Sequence, residues 1–136
     1  MKVKVTKKFS FEACHNLPFY KGDCHNLHGH SYILEVSVSG EVINDESNEK
    51  CGMILDFKDL KSMVNNLIID KVDHKNLNDI FPNPTAEIMA SSFFCILDDA
   101  LEDKNLTIER IKLWETRDSY AEVTREWMYA LLSRDF

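Results

Sequence analysis

The chain has 136 residues and carries 16 basic against 23 acidic side chains, a net charge of −7. That length suits one domain, here residues 1–136, with a core of its own, and the 44% hydrophobic content argues against disorder. The acidic balance speaks against nucleic acid as a partner, since such binding draws on phosphate contacts. No apolar run is long enough for a membrane-spanning helix.

The N-terminus, MKVKVTKKF, has no apolar stretch of the kind a signal peptide needs. The expected compartment is therefore the cytoplasm, with Cys14, Cys24, Cys51 and Cys95 reduced. From Val3 to His15, apolar residues hold the odd positions and polar ones the even, which predicts a half-buried strand; Lys7 is the mismatch. A loop with Pro18 and Gly22 follows. Alternation resumes with His28, His30, Tyr32, Leu34, Val36 and Val38 and predicts a second strand ending near Gly40. Met53 to Phe57 reads as a short apolar strand, and Asp56 as the cap of a helix. That helix places Leu60, Met63, Val64, Leu67 and Ile68 on one face. VDHKNLND reads as a turn. Asn83-Pro84 starts a second helix, with Met89, Phe93, Ile96, Leu97 and Ala100 inward. Leu106 to Thr116 is a strand, Tyr120 to Glu126 a last strand, and Trp127 to Leu132 a short helical end. The order suggests an α+β domain built on an antiparallel sheet.

His28 and His30 are two apart on a strand, so their imidazoles share a face. His15 ends the preceding strand on its apolar side. If the two strands pair antiparallel, it lies beside them. Three neutral imidazoles suit zinc and leave the fourth position that a catalytic zinc needs. Copper, iron and nickel also accept imidazole.

Cys24 lies four residues before His28. It is a general base or fourth ligand favoured as thiolate near a cation, or else a small buried hydrophobe. Cys14 falls on the even parity, away from the metal face, and reads as core. Asp73-His74 sets a carboxylate beside an imidazole, either an oriented proton carrier or a polar turn between helices. Glu115 shares parity with Ile111 and Leu113, so it points inward. A buried carboxylate needs partners: the N–H groups of a heterocycle, or an arginine. His25 reads as a loop histidine.

Six segments in order resemble the 6-pyruvoyltetrahydropterin synthase family. They are FSFEACHNL (Phe9 to Leu17), CHNLHGHSY (Cys24 to Tyr32), GMILDFKDLK (Gly52 to Lys61), VDHKNLN (Val72 to Asn78), NPTAE (Asn83 to Glu87) and WET (Trp114 to Thr116). The C-x3-HGH spacing resembles the branch that makes 6-carboxy-5,6,7,8-tetrahydropterin in queuosine biosynthesis. Cys14 stands where alanine is common, and the tail after Ser119 departs most from the pattern. The resemblance implies zinc on His15, His28 and His30, with Cys24 as general base and His74, oriented by Asp73, as its relay. Glu115 would anchor the pterin, with Thr85 at the same pocket. It implies the tunnelling fold, a four-stranded antiparallel sheet with two helices on one face, assembled as a hexamer of two trimers with active sites at subunit contacts. The implied substrate is 7,8-dihydroneopterin triphosphate, with acetaldehyde and triphosphate leaving. Lys21, Lys75 and Arg117 are candidate contacts for the triphosphate.

Overall fold

The computed structural model describes residues 1–133, and only the backbone of residues 131–133. The last three positions of the expected domain, 134–136, lie outside the described residues. The period-2 stretches form two long strands, β1 (Lys2–His15) and β2 (His28–Glu41). They pair antiparallel over their whole length, from Lys2 opposite Glu41 to His15 opposite His28. β4 (Leu106–Thr116) lies on the far side of β2, and β5 (Ser119–Thr124) closes a hairpin with β4.

The sheet differs from the expectation of four antiparallel strands. It has five, in the order β3-β1-β2-β4-β5, and is mixed. The addition is β3 (Lys75–Asn76), two residues of the stretch expected as a turn, paired parallel with Ala13 and Cys14 of β1. So short a strand carries no alternation of its own and forms only because β1 offers an edge.

One face of the sheet carries Phe9, Phe11 and Ala13 of β1, Tyr32, Leu34, Val36 and Val38 of β2, and Ile111 and Leu113 of β4, all buried. α1 (Phe57–Val64), α2 (Asp70–Val72) and α3 (Ala86–Leu101) supply the other side of this core through Leu60, Val64, Val72, Phe93 and Leu97. A π-helical turn, Asn65–Ile69, links α1 to α2 and rotates the face, so that Ile68 and Ile69 are both buried. Asp56 caps α1 as expected, its carboxylate accepting from the Lys58 N–H at 2.9 Å. Among the described residues no helix is long and apolar enough to cross a membrane.

Three expected boundaries move. Met53 to Phe57 is not a strand. Gly52, at φ +89°, closes a turn, and Ile43 meets the segment through only two backbone bonds, with Gly52 and Met53. α3 starts at Ala86, not at Asn83-Pro84, because the Thr85 hydroxyl accepts from the Ile88 N–H at 3.1 Å and Thr85 itself stays extended. α4 (Arg125–Ser133) starts two residues before the expected helical end and shortens the strand ahead of it.

Candidate metal centre and substrate site

Antiparallel pairing sets His15 opposite His28, and Ala13 opposite His30, so the three imidazoles stand on the core face at one end of the sheet. Their ligand atoms lie within 4.8 Å of one another, and among the described residues the group comprises these three histidines and no cysteine. The ring centroids are 4.7 to 5.1 Å apart.

Hydrogen bonds fix the tautomers of two rings. His15, fully buried, donates from Nδ1 to the Pro84 carbonyl at 2.8 Å. His28 donates from Nδ1 to the Asn26 carbonyl at 2.7 Å. Each ring therefore presents an Nε2 lone pair, and these two atoms face each other at 3.1 Å. Two facing lone pairs repel, and a cation between them removes the repulsion. In a tetrahedral zinc site with bonds of about 2.0–2.1 Å, ligand nitrogens stand roughly 3.3 Å apart. Carbonyl acceptors on the second ring nitrogen are the usual support for metal-binding histidines. His30 Nε2 is buried with no hydrogen bond, an orphan that a metal would satisfy. Burial holds the His30 imidazole below its ordinary pKa and outweighs the opposing pull of Glu115; His15 and His28 lower it further. The residues present fit a divalent metal with an open position.

Glu115 stands beside this centre, 3.7 Å from His30 Nε2, at the point where the pairing of β4 with β5 is irregular. Among the described residues no arginine pairs with it. Tyr32 lies beneath, fully buried and stacked on Phe11 at 4.8 Å. Burial drives its hydroxyl pKa up, and Glu115 and Cys14 push it the same way. Thr85, half-buried, follows the carbonyl that holds His15.

Cys24 sits half-buried in a one-turn 3-10 helix, Asp23–His25, within the loop joining His15 to His28. Its carbonyl accepts from the Leu17 N–H at 2.8 Å. His25, beside it, is exposed. Cys14 does point away from the metal face, but it is not core. Its thiol is half-buried, 3.8 Å from the Lys75 carbonyl.

Asp73 and His74 form a pair, Oδ1 to Nδ1 at 3.0 Å. The Glu12 N–H donates to the same Asp73 oxygen at 3.0 Å, and the Glu12 carbonyl accepts from the His74 N–H at 2.6 Å. This tie holds His74 at φ +59°, a conformation rare outside glycine. The Glu12 hydrogen bond holds the Asp73 carboxyl below its usual pKa, and His74 adds to the effect. The imidazole is 78% exposed at the sheet edge, and among the described residues no hydrogen bond or ring contact joins it to the histidine trio. It lines a hollow of about 450 Å³ with Glu12, Cys14, His30, Ser31 and Lys75. Lys21 and Arg117 lie in other hollows, so the three candidate triphosphate contacts are not brought together within one chain. The carbonyls of Asn26 and Pro84 escaped the reading of residue types, because every residue has one.

The sequence pattern of the 6-pyruvoyl tetrahydropterin synthase family matches residues 4–126. The chain is 37% identical to 6-carboxy-5,6,7,8-tetrahydropterin synthase of Haemophilus influenzae, over 88% of this chain and 96% of that protein. It is 33% identical to dihydroneopterin monophosphate aldolase of Pyrococcus furiosus, over 93% of this chain and 100% of that protein. Its fold is similar to that of Caenorhabditis elegans 6-pyruvoyl tetrahydropterin synthase, with a TM-score of 0.75 and 26% identity, covering 91% of this chain and 96% of the other. Likeness along nearly the whole length, in both sequence and fold, reaches well past a shared histidine motif: this chain belongs to the 6-pyruvoyl tetrahydropterin synthase family.

Proposed function

We propose that the protein converts 7,8-dihydroneopterin triphosphate and one water to 6-carboxy-5,6,7,8-tetrahydropterin, acetaldehyde and triphosphate, on a zinc ion held by His15, His28 and His30. The observation that carries this reading is the convergence of the three imidazoles beside Glu115, with two rings already held by carbonyls. The relative in Haemophilus influenzae bears the name of this activity. We place the step in queuosine biosynthesis and in the cytoplasm, where the four free cysteines stay reduced.

When bound, zinc supplies a Lewis acid that polarises the side-chain oxygens of the substrate and acidifies the protons beside them. Cys24, as thiolate, takes such a proton. His74 carries protons at Nε2 while Asp73 keeps Nδ1 occupied. Glu115 accepts two N–H groups from the amino-pyrimidinone edge of the pterin, a bidentate match that fixes its orientation. Thr85 borders the same pocket. His74 is exposed and apart from the histidine trio, which supports a site completed by a second chain. The open edge of β1 over residues 2–11 and the outer edge of β5 support assembly by strand pairing, toward a hexamer of two trimers.

The Pyrococcus furiosus relative favours a second reading, cleavage of dihydroneopterin monophosphate. The Caenorhabditis elegans neighbour favours a third, loss of triphosphate with the side chain retained. Incubating the zinc-loaded protein with the triphosphate and, separately, with the monophosphate decides among them by product mass. The proposal expects 6-carboxytetrahydropterin and one equivalent of acetaldehyde from the triphosphate. A pyruvoyl product, or turnover of the monophosphate alone, overturns it.

A further inference from the structure

We propose that Asn78 is a positioning residue, whose carboxamide clamps the end of β1 and so holds the metal ligand His15 in a fixed relation to the Asp73–His74 pair. The inference rests on the zinc and relay roles proposed above, and it adds to them the device that keeps the two groups in one frame.

The Asn16 N–H donates to Asn78 Oδ1 at 2.9 Å, and Asn78 Nδ2 donates to the Asn16 carbonyl at 2.9 Å. Both backbone groups of the residue next to His15 thus end on a single side chain. A carboxamide has the donor and acceptor of a peptide unit, so it can stand in for one. The position is consistent with that role. The parallel ladder pairs Ala13 with Lys75 and Cys14 with Asn76, a separation of 62 residues. Asn16 and Asn78 have the same separation of 62. By this point the backbone has left the strand for a 3-10 turn, Leu77–Asp79, and can no longer pair. The Asn78 side chain continues the register that the backbone abandons. It is itself set in place by its own N–H, which donates to Asn76 Oδ1 at 3.0 Å.

The clamp completes a row of ties between one segment and the end of β1. Asp73 and His74 hold Glu12, Lys75 and Asn76 pair with Ala13 and Cys14, Asn78 grips Asn16, and the Pro84 carbonyl holds the His15 ring. Without the clamp, the strand end after Cys14 loses its backbone partners on this side. His15 then depends on its pairing with His28, the Pro84 carbonyl and the Tyr32 hydroxyl 3.4 Å from Nδ1.

The test compares wild type, Asn78→Ala and Asn78→Asp for zinc affinity, by competition with a chromogenic chelator, and for the visible spectrum of the cobalt-loaded protein. Asn78→Asp keeps the acceptor for Asn16 N–H and loses the donor. Circular dichroism of the metal-free proteins reports folding separately. The clamp predicts zinc affinity about 10-fold weaker in Asn78→Ala, a smaller loss in Asn78→Asp, and an altered cobalt spectrum in Asn78→Ala with the metal-free fold retained. Wild-type affinity and spectrum in folded Asn78→Ala overturn the proposal. So does a lower melting temperature with unchanged affinity, which marks a structural role only. Wild type that binds zinc without forming the pterin product sinks the proposed reaction and leaves the clamp to be judged on affinity. Wild type that binds no zinc sinks both.

Discussion

The imidazoles of the trio meet two different constraints. His15 and His28 spend Nδ1 on carbonyls, while His30 keeps a buried Nε2 with no partner. The His30 pKa is lowered from 6.5, chiefly by burial. The unfolded chain thus binds a proton at His30 more readily than the folded one. Stability from this group is present above the unfolded pKa of about 6.5 and is lost as pH falls toward the folded value. Metal-free protein is expected to melt at progressively lower temperature as pH drops from 7 to 5, with a shallower slope in His30→Asn. A melting temperature independent of pH over this range in wild type contradicts the assignment. The shared face of the histidines was legible in the sequence, because strand parity is a strict geometric rule. The tautomers were not, since they depend on carbonyls brought in from residues 26 and 84.

The long strands were legible for the same reason: β1 follows the alternation almost residue for residue, whereas β2 keeps its bounds but is buried on both faces from Leu34 to Gly40, where Glu35, Ser37 and Ser39 are covered. Boundaries were harder wherever two cap signals competed. Asn83-Pro84 and Thr85 both advertise a helix start, and the hydroxyl of Thr85 is the one that reaches the free Ile88 N–H. Thr85→Ala is expected to cost about 1 kcal/mol of stability through loss of this cap. It should appear as a lower midpoint in urea unfolding with an unchanged slope, and an unchanged midpoint would show that another group caps α3. β3 had no signal at all. Two residues cannot display a period, and their pairing depends on an edge more than sixty residues earlier.

Seen whole, the molecule is a five-stranded sheet with helices packed on its apolar face and the proposed catalytic groups divided between that face and an exposed edge. The trio and Glu115 stand together, whereas the Asp73–His74 pair stands apart at the edge where β3 joins β1. This division was not legible in residue patterns, which place side chains on faces of their own strand and say nothing about neighbouring chains. The fold class and most of the order of elements were, because the apolar periodicity changes from two to that of a helix near Asp56. We propose that three imidazoles build one zinc centre and that the pterin chemistry depends on it. Protein stripped with a chelator and then titrated with zinc, while acetaldehyde release from dihydroneopterin triphosphate is followed, tests it most directly. Activity is expected to rise with zinc to a plateau at one ion per chain, and to stay absent in His28→Ala across the same titration. Full turnover in the stripped protein, or a His28→Ala variant that titrates like wild type, would contradict it.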